Sequence, residues 1–87
     1  MQALCRMTVA DVPAWRTAFD GDTESRANAG LSVLQIWTED DAPGTVWVLF
    51  DVNDPARGRA FATGGQSRLH AERAGVTAAE WHFVRTA

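Results

Sequence analysis

The 87-residue chain carries eight Arg and no Lys against eleven acidic residues, for a formal charge of −3 at pH 7. This mildly acidic balance argues against a nucleic-acid binder, which needs a basic patch to replace phosphate counterions. The absence of Lys excludes Schiff-base chemistry, and the absence of Tyr removes any phenolic acid or base.

The length suits one domain spanning residues 1–87, near the small end of what folds alone. Four Trp and four Phe provide large buried areas from few residues. Cys5 is the only cysteine, so no internal disulfide forms, which suits a reducing cytoplasm. One Cys and two separated His fall short of the ligand sets that zinc takes, so no metal is expected. The opening stretch MQALCRMTVAD lacks a charged leader followed by an apolar core, and no apolar run has the length of a membrane span. The expectation is a cytoplasmic protein with no membrane partner.

Taken in order, Ala3–Ala10 alternates as a first strand, with Ala3, Cys5, Met7 and Val9 on an apolar face and Leu4, Arg6 and Thr8 on a mixed one. Asp11 caps a helix that tolerates Pro13 in its first turn. Val12, Trp15 and Phe19 form its core stripe, and a mostly wet second half runs to about Ala29, with Gly30 as the C-cap. Leu31–Thr38 is the second strand, Glu39–Thr45 the turn and Val46–Val52 the third strand. Asp54-Pro55 starts a second helix, interrupted at Gly64-Gly65 and ended by Gly75. Glu80–Thr86 alternates as the fourth strand. The order β-α-β-β-α-β is the ferredoxin-like α+β arrangement, a four-stranded antiparallel sheet with two helices on one face.

The hairpin at Leu31–Val52 is apolar on both faces. With Trp37 opposite Trp47, Leu34 and Ile36 join Val46, Val48 and Phe50 on the helix side. Val33, Gln35 and Trp37 then join Trp47, Leu49 and Asp51 on the other, an assignment that depends on register. Helices cover only one face. The second would leave two indoles, Val33 and Leu49 in water, and such patches mark an interface or ligand groove. Two sheets packed face to face would bury both and enclose a cavity. Burying about 100–200 Å² per indole at roughly 25 cal/mol/Å² contributes several kcal/mol per subunit. A homodimer is therefore expected.

The layout VADVPAWRTAFD, then AGL, then VWVLFDVNDPARGRAF, then AGV resembles the small dimeric α/β-barrel proteins. More narrowly it is similar to the short bacterial proteins known as cyclases, cousins of the antibiotic-biosynthesis monooxygenases. The likeness spans nearly the whole chain, and its motifs are structural. It implies a barrel of two subunits packed sheet on sheet. It also implies, for several members, chemistry without metal or organic cofactor on an apolar or polycyclic substrate held between sheet and helices. Other members have no established activity, and the family's polar residues vary too much to carry a catalytic set across.

Candidate chemistry therefore comes from the residues themselves. With Trp81 and Phe83 toward the helices, His82 faces the indole-lined side as a general acid or base; the alternative is a sheet edge or interface position. Asp51 is a base or orients His82, or else lies at the strand end in solvent. Arg6 polarises a carbonyl or binds a carboxylate, or else pairs with Asp51 or Glu80. Gln35 makes a cross-dimer hydrogen bond or a substrate contact, with Trp37, Trp47, Leu49 and Val33 as walls. His70 flanks the core or lines a pocket entrance, Trp15 and Phe19 belong to the core, and Cys5 faces the core as an inert thiol. Two readings follow. One is a cofactor-free cyclase, isomerase or monooxygenase-like enzyme acting on an apolar aromatic or polyketide-like molecule. The other is a non-catalytic dimer that binds a small ligand or is purely structural.

Overall fold

The computed structural model describes residues 1–87, the Gln66 side chain excepted. Its elements run β1 (Gln2–Val9), α1 (Val12–Gly21), α2 (Thr23–Asn28), β2 (Leu31–Thr38), β3 (Thr45–Val52), α3 (Pro55–Thr63), α4 (Gly65–Arg73) and β4 (Val76–Val84). The strands form one antiparallel sheet in the order β2-β3-β1-β4. This is the expected α+β ferredoxin-like arrangement. No helix among the described residues is long and apolar enough to cross a membrane.

The central strands decide the layering. Ala3, Cys5, Met7 and Val9 on β1 and Val46, Val48, Phe50 and Val52 on β3 are all buried, while their alternate neighbours are more open. Trp15 and Phe19 of α1 and Leu31 of β2 complete that core. Full burial of each large apolar side chain stabilises the fold by about 1.5–3 kcal/mol. Trp81 and Phe83 of β4 pair with Cys5 and Ala3 and pack against the same core.

Both helix starts behave as the capping residues dictate. The Ala14 N–H donates to Asp11 Oδ2 at 2.9 Å, and the Arg57 N–H donates to Asp54 Oδ1 at 3.1 Å. Each helical arm is broken in two. The first breaks at Asp22, whose N–H turns back to the Phe19 carbonyl at 3.1 Å while the Thr23 hydroxyl donates to the Asp20 carbonyl at 2.8 Å. The expected single helix to Ala29 thus becomes α1 and α2. The second arm breaks at Gly64, as the Gly64-Gly65 pair suggests. Strand β4 begins at Val76 rather than Glu80, because backbone pairing with Thr8 and Val9 through a register shift recruits residues whose side chains carry little strand signal.

The hairpin pairs Trp37 with Trp47 as expected, but an irregularity between Val33 and Gln35 shifts the register. Leu34 becomes the extra residue of a β-bulge and is 51% exposed, outside the core set in which alternation places it. Val33 now lies opposite Phe50, a core residue, and beside a hollow under α1 and α2. It is therefore on the helix side, not with Gln35 and Trp37. Alternation alone cannot reveal this, since one inserted residue flips everything before it.

Gly30 joins α2 to β2 at φ +75°, and its carbonyl accepts from the Asn53 N–H at 2.9 Å. A Cβ there would stand 2.5 Å from Asn53 Oδ1 and 2.9 Å from the Asp54 Cβ. Gly30→Ala is expected to cost about 1–3 kcal/mol, a fall in melting temperature of roughly 4–8 °C per kcal/mol in a domain of this size. Thermal unfolding of the variant at an unchanged midpoint would contradict that geometry.

Candidate functional site

The uncovered face of the sheet reads as rows across the strands. One row is Trp37, Trp47, Arg6 and Glu80, and the next is Gln35, Leu49, Leu4 and His82. A third carries Ser32, Asp51, Gln2 and Val84. Arg6, Gln35, Trp37, Trp47, Leu49, Asp51 and His82 therefore share the open face, and Val33 does not. The indoles and His82 lie on one face, as alternation predicts, because Trp81 and Phe83 take the other.

The polar contacts on this face differ from those expected. Arg6 meets neither Asp51 nor Glu80: its Nε lies 3.5 Å from Glu39 Oε1, with the guanidinium 5.7 Å from the Trp47 ring centroid. The Trp47 indole N–H donates to the same Glu39 oxygen at 2.8 Å. That hydrogen bond, assisted by Arg6, holds the Glu39 carboxyl below the ordinary carboxylate range. In the sequence Glu39 reads only as a turn residue; its position directly after β2, next to the Trp37/Trp47 pair, is the signal that marks it. His82 Nε2 lies 3.4 Å from Glu80 Oε2 in an exposed pair. Asp51 stands two strands from His82, about 10 Å or more at a strand spacing of ~4.8 Å, so it does not orient that ring.

A hollow bearing on function lies on the opposite, helix-covered face. A half-open cleft of about 360 Å³ lies between the sheet and the two helical arms. Small-molecule sites commonly hold about 300–1,000 Å³. Five aromatic side chains line it: Trp15 and Phe19 from α1, Phe50 from β3, Phe61 from α3 and Trp81 from β4. These rings form a continuous array, with centroids 4.8 Å apart for Trp15–Phe19, 6.4 Å for Phe19–Phe50, 5.3 Å for the stacked Phe50–Trp81 pair and 6.3 Å for Phe61–Trp81. None of the residues singled out from the sequence as catalytic or substrate-binding lines this cleft.

Its polar lining combines Asp22 and Arg26 of the first arm with Ser67, Arg68, His70 and Glu72 of α4. His70 Nδ1 of α4 lies 2.8 Å from Asp22 Oδ1 at the α1–α2 junction, and both side chains are about three-quarters covered, at 20% and 26% exposure. An Nδ1 engaged by a carboxylate leaves Nε2 as the ring's acceptor and base, the arrangement in which a carboxylate fixes the imidazole tautomer. Arg26 of α2, buried at 6% exposure, stacks its guanidinium 3.6 Å from the Phe19 ring centroid. Burial pulls its pKa below the usual arginine value, against the opposing fields of Asp22 and Asp20. The second half of the first helical arm is thus not wholly wet. Residues 15, 19, 22 and 26 follow helical spacing (i, i+4, i+7, i+11), and a stripe that starts with two aromatics and ends with Asp and Arg is the readable signal. Cys5 is sealed beneath the floor, its thiol pushed up to about 12 by burial, and has no nucleophilic character.

No protein-family model and no curated protein matches the sequence. Solved structures do match in fold. SnoaB, a cofactor-independent oxygenase from Streptomyces nogalater, aligns in a mutant form at TM-score 0.65 and 20% identity, over 99% of this chain and 93% of that one. An uncharacterized NIPSNAP domain protein from Burkholderia xenovorans aligns at TM-score 0.64 and 18% identity over 100% and 95% of the two chains. A Bacteroides thetaiotaomicron protein, provisionally named as an antibiotic biosynthesis monooxygenase, aligns at 0.65 and 17% over 99% and 88%. The chain has the same small ferredoxin-like fold as these proteins.

The Glu39 contacts carry a titration signature. A carboxyl depressed in the folded state contributes stability above its unfolded pKa and loses it as pH falls through the folded value. In a carboxyl-detected NMR titration Glu39 is expected to protonate below the ordinary glutamate range. Trp47→Phe, which removes the principal cause, should move Glu39 upward, and Arg6→Gln should move it less. An unmoved Glu39 in Trp47→Phe would remove the indole contact from the account.

Proposed function

We propose that the chain is a cofactor-independent enzyme that takes a small aromatic molecule into the helix-side cleft. The observation that carries this reading is one cleft combining an array of five aromatic rings with a His70–Asp22 pair at its rim. The SnoaB likeness supports oxygenase-type chemistry as the first form to test. His70 Nε2 would take a proton from an acidic C–H or O–H of the bound ring system, while Asp22 holds the ring and stabilises the imidazolium. The resulting enolate can close a ring on a neighbouring carbonyl, regain its proton elsewhere, or pass an electron to dioxygen. Those outcomes are cyclisation, isomerisation and oxygenation, and a polyketide-like phenol or 1,3-dicarbonyl suits all three. The sealed lone thiol suits a reducing cytoplasm.

A second reading keeps the chemistry on the open face. There Trp37, 44% exposed, begins a row that runs through Trp47 and Arg6 to Glu80, with Glu39 on Trp47 and His82 in the adjoining row. This reading needs a second subunit to enclose the site, with His82 as acid–base group and Arg6, Asp51 and Gln35 as further contacts. In either reading we propose that the open face joins two copies of the chain, since Trp37 and Leu34 present large apolar areas without cover. A binder without catalysis is the remaining alternative.

Two measurements separate these readings. Oxygen uptake and product formation are followed with a panel of fused-ring phenols and aromatic 1,3-dicarbonyls. His70→Ala and Asp22→Asn are expected to lower turnover by about 10²–10⁴-fold and a smaller factor respectively, while His82→Ala leaves it nearly intact. The reverse pattern would move the chemistry to the open face, and tight binding without turnover would leave a binder. Assembly is read by sedimentation at micromolar concentration: a species of twice 9.5 kDa is expected, with Trp37→Arg shifting it to monomer. A wild-type monomer would end the dimer proposal.

A further inference from the structure

Arg26 is an unusual residue to find beneath a helix in an acidic chain. Its side chain is 6% exposed, yet it lines both the aromatic cleft and the neighbouring hollow under α1, α2 and β2. A guanidinium has five N–H donors. Its one hydrogen bond among the described residues runs from Nη2 to Thr23 Oγ1 at 3.4 Å, a long contact. The two carboxylates that feel its charge are committed elsewhere: Asp22 to His70 at 2.8 Å, and Asp20 to Arg16 Nε at 3.0 Å. Among the described residues no carboxylate lies within ion-pair distance of Arg26. Nor does any buried side-chain nitrogen lie sealed without a partner. The guanidinium edges that Thr23 leaves over therefore open on the hollows that Arg26 lines.

A buried cation with donors to spare, held rigid against Phe19, is a preorganised acceptor for an anion. We propose that Arg26 is the anion-recognition residue of the helix-side cleft, and that the ligand taken there is an aromatic carboxylate. Its rings lie among Trp15, Phe19, Phe50 and Trp81, and its carboxylate pairs with the guanidinium. This rests on the reading of the cleft as a ligand site, and it narrows the ligand from aromatic to aromatic and anionic. Asp20 and Asp22 oppose an incoming anion, but Asp20 pairs with Arg16 and Asp22 contacts His70, so neither takes up the guanidinium's donors. A neutral ring covering the guanidinium would displace water from the spare donors and return no partner, so the acid is preferred over its uncharged isostere.

The test uses 2-naphthoate and 2-naphthamide, alike in rings and different in charge, titrated into the full chain by calorimetry at neutral pH. Naphthoate is expected to bind tighter by about tenfold or more. Arg26→Met, which keeps the stem on Phe19, should erase that preference while leaving the amide's affinity unchanged, and Arg26→Lys should retain part of it. The Arg26 side-chain N–H resonance of the unmutated protein should shift with naphthoate and stay put with the amide, a readout that needs no variant to fold. Equal affinity for the two probes, or a preference that survives in Arg26→Met, overturns the role of Arg26 and leaves the cleft reading standing. If neither probe binds, the cleft reading and the Arg26 proposal fall together.

Discussion

Cys5 and Val48 face each other across the two central strands, and neither has any exposed surface. That pair lies at the middle of a layer in which eight successive inward positions of β1 and β3 are sealed. A sheet has only two faces, and sealing one so completely fixes where everything else goes. The helices must lie over β1 and β3, while the edge strands β2 and β4 receive thinner cover. Hollows are therefore expected beside the centre rather than over it. The two cavities flank the Phe19 and Arg26 side chains, one toward β4 and the other toward β2.

The breaks in the helical arms bring polar groups to those hollows. An unbroken helix from Val12 to Asn28 would run straight past the sheet. Stopping at Asp22 lets α2 start afresh and brings the carboxylate within 2.8 Å of His70. The break at Gly64 does the same for the other arm, whose second piece carries His70 over β4. A contact between two breaks is a tie across the cleft. It joins the two arms, so that contact and the shape of the cavity are one feature.

How much of this was legible in the sequence follows from which signals are local. Strand alternation and helix caps are local, so the element order and both caps can be read directly, whereas the Trp37/Trp47 pairing and the inward direction of Trp81 and Phe83 follow only once a register is assumed. The bulge at Leu34 is not local. It depends on how β2 settles against β3, and it moved Val33 to the other face. The cleft was harder still. His70 and Asp22 are far apart in the chain and carry no shared motif, so only the packing of both arms on the sheet brings them together. Trp15 and Phe19 have the spacing of core residues and also form a wall, because a half-open cleft over an edge strand makes core residues into lining. Arg26 lies in a polar stretch after a glycine, which reads as solvated unless its helical spacing from Phe19 is followed through.

Electrostatics then divides the two faces. On the open face Arg6, Glu39, Glu80 and His82 each keep about a third or more of their side-chain surface in water. Solvent and salt weaken such pairs, which can tune register and solubility but do not hold a charge unbalanced. Large apolar area is what that face offers. Under the helices the terms reverse. Arg26, Asp22 and His70 are largely covered, so each polar group must be matched by a neighbour or by something that enters. The Asp22–His70 contact gives two of the three a partner. The third is left with an aromatic ring, a long hydrogen bond and open space beside it. A fold that places apolar surface on one face and keeps an incompletely matched charge on the other holds burial-driven and charge-driven interactions apart.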